Sequence, residues 1–424
     1  MSVFTKTLIV DGSLINPNPP YFNAIKAATQ YFIDHQVGGT IIVEQGIYDF
    51  DEADDFEGLN VNTKTTVYIP SNVSIIGNGN VVIRITRSDI SAFKNANTSN
   101  TNIKISGFKI IYDGPADTEE HPKLSTHLVY LTNCSKCRLK NLTITSNNKN
   151  IDREAFAICI TSNTQNTCWG NIIEGCRIYD FGSASPGYYG GGIMVSGSTQ
   201  LTNPQFNIIK NNIISQVGSI SGDEECKGSG ILIFYNVDPN DPDEPAVPNN
   251  MIISNNILFD LKGNHTEGVS SRAINYVLKG NIFDGCRVHG FYPSGATKCA
   301  AFGNISVNND STGIHLRYAY DQKSLNTEFH ALTGNVCMEN AEVGIHAQNG
   351  TNCCSFFGNQ CNENVLGIRI QHETDPTKHP ELHPENNCVA GNVAVNNTDE
   401  SEADISVDEY GKQIVANNMG NLNL

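Results

Sequence analysis

One short phrase recurs through the second half of the chain and limits the possible folds more than any other feature. It reads GVSSR at 268–272, GFYPS at 290–294, GIHLR at 313–317, GIHAQ at 344–348, GIRIQ at 367–371 and DISVD at 404–408. Ahead of each of the last five stands a second phrase, KGNIF, FGNIS, TGNVC, FGNQC or AGNVA. It sets Asn281, Asn304, Asn335, Asn359 and Asn392 at matching points. The steps, roughly 23 to 33 residues, lie in the range of solenoid repeats. Each repeat is short, apolar and β-prone, with Asn and Gly at its corners. One repeat cannot bury its inward side chains alone, but stacked repeats share a core.

The pattern extends backwards through Gly107, Asn141, Gly175, Asn212 and Asn256 at the corner, and forwards to Asn418. The strand phrase continues as HLVYL (127–131), AICIT (157–161), GIMVS (192–196) and GILIF (230–234). About eleven coils are visible in all. From about Val67 onward the chain resembles the right-handed parallel β-helix of the pectate-lyase-like proteins. These include pectate and alginate lyases, polygalacturonases, mannuronan epimerases and phage tailspikes. The resemblance implies an all-β, single-stranded right-handed parallel β-helix over 51–424. It says less about activity, because one fold hosts many chemistries.

A length of 424 residues suits a solenoid, which grows by adding coils. The net charge of −17 argues against nucleic acid as a partner. No apolar run approaches the roughly 18 residues of a membrane span. The N-terminal stretch lacks the basic and apolar regions of a signal peptide, so the chain is expected in the cytoplasm, exported by another route, or trimmed of a leader. Thirteen cysteines leave at least one thiol unpaired unless a partner chain is bridged. Cys134 and Cys137 form a CxxC with no second pair at zinc-site spacing, so buried thiols are the favoured reading. Cys337 and Cys361 are expected as neighbours in one column.

The first 50 residues differ from the rest. Within 20–35, Phe22, Ile25, Ala28 or Thr29, Phe32 and Ile33 share one face at helical spacing. GGTIIVEQGIYDF (38–50) follows as strand, turn and strand. Similar β-helix proteins begin this way, with an amphipathic helix over the open end of the core. Residues 1–50 are therefore expected to form an N-terminal capping helix and strands continuous with the solenoid. An uncovered end would expose apolar stacks and strand edges. Residues 51–64 read as an acidic solvated loop.

Long connections mark where walls rise beside the strands. Three precede the strand phrase, at 145–153, 180–190 and 216–228, and three follow it, at 236–248, 318–327 and 373–385. Tyr188 and Tyr189 fall on one wall and Tyr318 and Tyr320 on the other. The strand face between them is expected to be a groove for a polysaccharide.

Alternation within the phrases defines that face. Ile314, Leu316, Ile345, Ala347, Ile368 and Ile370 point inward. Outward, one column reads Ser270, Tyr292, His315, His346, Arg369, and the next Arg272, Ser294, Arg317, Gln348, Gln371. Three of the chain's nine arginines lie here. His289 and Glu267 sit at the edge. The matching earlier positions are read as Val129, Cys159, Met194 and Leu232, so the polar patch is local.

The residue types select the chemistry. Glycoside hydrolysis needs two carboxylates across the bond, and Glu267, Asp284, Asp321, Glu373 and Asp408 are peripheral. β-Elimination or C5 epimerisation of a uronate needs a cation on the carboxylate, a base for the C5 proton and an acid. Arg317 with Arg272 or Arg369 suits the clamp, His315 or His346 the base, and Tyr292 the acid. His289, Gln348, Tyr188, Tyr189 and Glu267 are expected to bind substrate. HGFYPSG (289–295) matches the YG-I/F-DPH motif of mannuronan C5-epimerases at Gly290, Phe291 and Pro293, but Tyr292 and Ser294 replace its Asp and His. No cofactor follows from these residues alone, and Ca²⁺ stays open. Asp223, Glu224 and Glu225 are candidate Ca²⁺ ligands, as some lyases of this fold use Ca²⁺. The leading expectation is a lyase on an acidic polysaccharide. A hydrolase, an epimerase, and a tailspike-like binding or structural solenoid, trimeric in that case, stand as alternatives.

Overall fold

The computed structural model describes residues 6–10, 21–50, 64–87, 90–96, 100–114, 126–147, 151, 154–162, 168–183, 189–197, 204–218, 227–235, 248–263, 265–317, 327–348, 350–371, 384–398, 404–407, 413–420 and 422–423. Among these, one helix, α1 (Tyr21–His35), accompanies strands that form a 13-stranded and a 24-stranded sheet. From Thr126–Thr132 to His289–Pro293 each coil gives one strand to the first sheet and two to the second. His289–Pro293, for example, is followed by Thr297–Phe302 and Ile305–Val307, and the next coil opens with Thr312–Leu316. Strands of successive coils pair in parallel.

The inward alternation holds. Ile314, Ile345 and Ile368 align across rungs, as do Leu316, Ala347 and Ile370, and none is more than 1% exposed. One earlier phrase is shifted from its expected reading. Val129 pairs with Ile158 inside the core, and Tyr130 takes the outward position beside Cys159. In HLVYL, Leu128, Val129 and Leu131 are all apolar, so period two alone does not choose the face.

The corners resolve into two adjacent columns. Gly107, Asn141, Gly175, Asn211, Asn255, Gly280, Gly303 and Gly334 adopt positive φ, between 52° and 78°, a region open to Gly and Asn. The next residue stacks: Asn212, Asn256, Asn281, Asn304, Asn335, Asn359, Asn392 and Asn418 bond side chain to side chain. Asn141 and Gly175 therefore belong to the turning column and not to the ladder, where Leu142 and Cys176 stand.

Helix α1 packs against Gly39–Phe50 and Lys64–Ile69 through buried Ile25, Ala28, Thr29 and Phe32. A Cβ at Gly39 would collide with the Phe32 ring. The strand Lys6–Val10, which the sequence reading did not include, adds a rung beside Gly39–Phe50. Cys134 and Cys137 are buried free thiols, and Cys134 N–H donates to Cys168 Sγ at 3.2 Å. No group of three His, Cys, Asp or Glu among the described residues can hold a metal ion. Cys337 and Cys361 are rung neighbours. No helix among the described residues is long and apolar enough to cross a membrane.

Candidate functional site

The outward column of the 13-stranded sheet changes character along the molecule. Tyr130, Cys159, Met194 and Leu232 succeed one another, then Ser270 and Tyr292. His315, His346 and Arg369 continue the same line. Pairing of Phe291 with Ile314 brings Tyr292 beside His315, their rings 5.5 Å apart. In the neighbouring column Ser294 bridges to Arg317. Distant stretches thus converge because each coil repeats the same register.

These histidines face away from the core, yet they are not an exposed patch. His315 is 5% and His346 8% exposed, and His289 9%. The rung spacing of about 4.8 Å lets flat rings stack. The His315 and His346 rings lie 4.9 Å apart and within 7° of parallel. His289 meets His315 edge-on, with Nε2 2.9 Å from His315 Nδ1. His289 is therefore a buried partner of His315 and not an edge residue of the patch.

Burial is the main cause that holds all three rings neutral. It pushes His315 down to about 3, Arg317 adds to the shift, and Gln348 opposes it. His346 is driven well below the usual range by burial, then His315, Arg369 and Arg317. His289 is driven down by burial, then His315, His346 and Arg317. Neutral imidazole has one donor and one acceptor nitrogen. His315 Nε2, His346 Nε2 and His289 Nδ1 make no hydrogen bond among the described residues. If His315 Nδ1–H donates to His289, His315 Nε2 is left as a bare, buried acceptor. A single metal ion does not suit the stacked pair, because in-plane lone pairs on parallel rings run side by side and do not converge.

Tyr292 is half-buried. Burial raises its hydroxyl pKa while Arg317 lowers it, and the net is upward, so it holds its proton as a donor. Arg317 and Arg369 are half-buried beside the histidines. Arg272 stands over the Phe234 ring at 4.9 Å, and Phe234 lies 6.4 Å from Tyr189. Tyr189 is four rungs from His315, about 19 Å, and packs on the apolar cluster of Phe156, Cys159, Met194 and Leu232. Glu267 pairs across a rung with Ser229 and accepts from its Oγ at 3.3 Å. Asp284 lies on the other sheet, bonded by Asn308 Nδ2 at 2.9 Å, so it does not oppose Glu267. Tyr188, Asp223, Glu224, Glu225, Tyr318, Tyr320, Asp321, Glu373 and Asp408 lie outside the described residues. Phe234 carries no motif of its own in the sequence, although it stands two residues beyond Leu232 in the column of Arg272.

No family profile and no characterised protein matches this sequence. Solved structures do match in shape. The A-module of mannuronan C-5 epimerase AlgE4 from Azotobacter vinelandii is 14% identical with a TM-score of 0.54, over 96% of this chain and 94% of that one. PfbA, a surface adhesin of Streptococcus pneumoniae, is 14% identical with a TM-score of 0.59, over 97% and 89%. The tailspike of Escherichia coli bacteriophage HK620, solved with a hexasaccharide, is 12% identical with a TM-score of 0.57, over 92% and 65%. These likenesses establish the fold as a right-handed parallel β-helix.

Proposed function

We propose that this protein is a carbohydrate-active β-helix enzyme that acts on an acidic, uronate-containing polysaccharide by β-elimination. One observation carries the reading. The outward column turns from Cys159, Met194 and Leu232 to a neutral stacked pair, His315 and His346, whose outer nitrogens lack partners among the described residues, with Arg317 and Arg369 alongside. The arginines neutralise the sugar carboxylate, which acidifies C5–H. His315 Nε2 or His346 Nε2 takes that proton, and Tyr292 O–H donates to the departing glycosidic oxygen. The C4–O bond breaks as the C4–C5 double bond forms. A bound carboxylate also offsets the arginine charge that lowers these histidines, which raises their basicity when substrate is present.

The AlgE4 A-module belongs to a mannuronan C-5 epimerase, and the tailspike structure holds a hexasaccharide. Both support a carbohydrate as the ligand. Epimerisation shares the first step, so the test must separate the two outcomes. The protein is incubated with polymannuronate, polyguluronate, polygalacturonate and neutral glucans. Ultraviolet absorbance of unsaturated ends, C5 inversion by NMR and reducing ends are read together. Unsaturated product is expected. Reducing ends alone indicate hydrolysis, and bound polymer without product indicates a binding module; either result overturns the lyase reading.

A further inference from the structure

The outward column that carries His315 holds a second charged side chain near its other end. Lys94 lies between Tyr68 on the preceding rung and Tyr130 on the following one. Its Nζ is 5.1 Å from the Tyr130 ring centroid, and the residue is only 3% exposed. The nearby acid is otherwise engaged: His127 Nε2 lies 3.5 Å from Glu154 Oε1, while His127 Nδ1 accepts from Phe156 N–H. Among the described residues no carboxylate pairs with Lys94. Burial is what acts on its ammonium, holding it down at about 8.

A buried ammonium without a counter-ion is costly, and the Tyr130 ring beside it offsets only part of that. Nothing in the packing calls for a charge here. The same column is filled by Met194 and Leu232 three and four rungs further on. Between Lys94 and His315 the column is apolar from Cys159 to Leu232, with the rings of Tyr130, Tyr189 and Phe234 packed against it, before Ser270 and Tyr292 lead to His315.

We propose that Lys94 is a second anion subsite that takes a carboxylate of the same acidic polysaccharide, seven rungs or about 34 Å from His315. The inference rests on the reading above. It makes the face a track with a charge-reading point at each end and an apolar stretch between them.

The test compares wild type with Lys94→Met and Lys94→Arg, using oligouronates too short to span both points and ones long enough to do so. Long oligomers are expected to bind wild type more tightly than short ones. Lys94→Met should lose about ten- to hundredfold for long oligomers, with short ones unchanged, and Lys94→Arg should keep most of the affinity. Lys94→Met should also melt higher than wild type, which separates a binding lysine from a structural one. In parallel, acylation of Lys94 in wild type, read by mass spectrometry, should slow when long oligouronate is added. Equal affinity of Lys94→Met and wild type for long oligomers overturns the subsite and leaves the catalytic reading standing. Protection of Lys94 without turnover of any uronate keeps the subsite and removes the lyase. If Lys94→Met does not fold, acylation that is unaffected by long oligouronate overturns the proposal.

Discussion

His315 sits where two constraints meet, and substitutions there should show both. As the base it is expected to lower kcat by about 10²–10⁴-fold on change to Ala. His346→Ala tests the neighbouring nitrogen in the same way. Arg317→Ala removes the carboxylate clamp and is expected to cost about 10²–10³-fold, a loss of charge stabilisation in the transition state. Because His315 and His346 are buried against one another, each alanine also leaves a gap, expected to cost about 1–3 kcal/mol of stability. Urea unfolding of each variant checks this and must accompany the kinetics. Normal turnover in all three folded variants would make the patch ordinary surface. The same burial predicts a pH dependence. Unfolded histidine takes up a proton near 6.5, whereas His315 is held at about 3 and His330 at about 4. Between those values the unfolded chain binds more protons, so stability is complete above about pH 6.5 and falls as pH drops towards those folded values. His330, whose Nε2–H donates to the Ala296 carbonyl at 2.9 Å, is remote from the proposed chemistry. His330→Gln should flatten the fall of melting temperature with acid; an unchanged slope would remove His330 from the effect. Which side chains face outward was legible in the sequence, since Ile–x–Leu and Ile–x–Ala fix the phase. Their burial was not, because it comes from contacts between rungs some 30 residues apart. His289 was misplaced for a related reason: its contact is with His315 of the next rung, 26 residues on in the chain.

At the scale of the coil, the asparagine columns do what side chains seldom do in a helix or sheet. Asn335 Nδ2 donates to Asn359 Oδ1 and to the Ala301 carbonyl, each at 3.0 Å. Its Oδ1 accepts from the backbone and side-chain amides of Asn304, at 3.1 and 2.9 Å. Asn335→Ala would strand three buried polar groups at once. Each unsatisfied group costs about 1–3 kcal/mol, so a loss of about 3 kcal/mol or more is expected. Asn418 closes the column where it is part-buried, and there water can replace the missing amide. Asn418→Ala should therefore cost under about 1 kcal/mol. Urea midpoints of the two variants check the contrast, and equal losses would show that the ladder does not act through its neighbours. A second ladder runs through Asn309, Asn340, Asn364 and Asn397. It was present in the sequence as Asn304/Asn309, Asn335/Asn340, Asn359/Asn364 and Asn392/Asn397, pairs that always span the same four intervening residues. The repeat phrases drew attention to the first member only, because the Gly before it makes it conspicuous.

For the whole molecule the governing fact is that a solenoid has two ends. Interior rungs satisfy each other, whereas a terminal rung offers unpaired strand edges and a cross-section of the apolar core. At the N-terminal end, Ile25 and Phe32 of α1 are fully buried, and Lys6–Val10 lies in parallel along Gly39–Phe50. We expect α1 and this first strand together to act as the lid of the stack. The helix was legible from its apolar spacing. The strand was not, since five residues without alternation or a repeat phrase carry little signal on their own. Deletion of residues 1–35 would remove both, baring the edge of Gly39–Phe50 and the core around Ile41 and Val43. The truncated protein should self-associate, measured by light scattering, and its unfolding should broaden and move to lower temperature. The single change Phe32→Ala keeps the edge strand and empties the space over Gly39, at an expected cost of about 3–5 kcal/mol, without association. If the truncated chain is instead monomeric, soluble and unchanged in melting, the end coil is stable uncovered and α1 is an appendage. If Phe32→Ala alone causes association, the helix and not the strand edge is what keeps the stack from growing onto another copy.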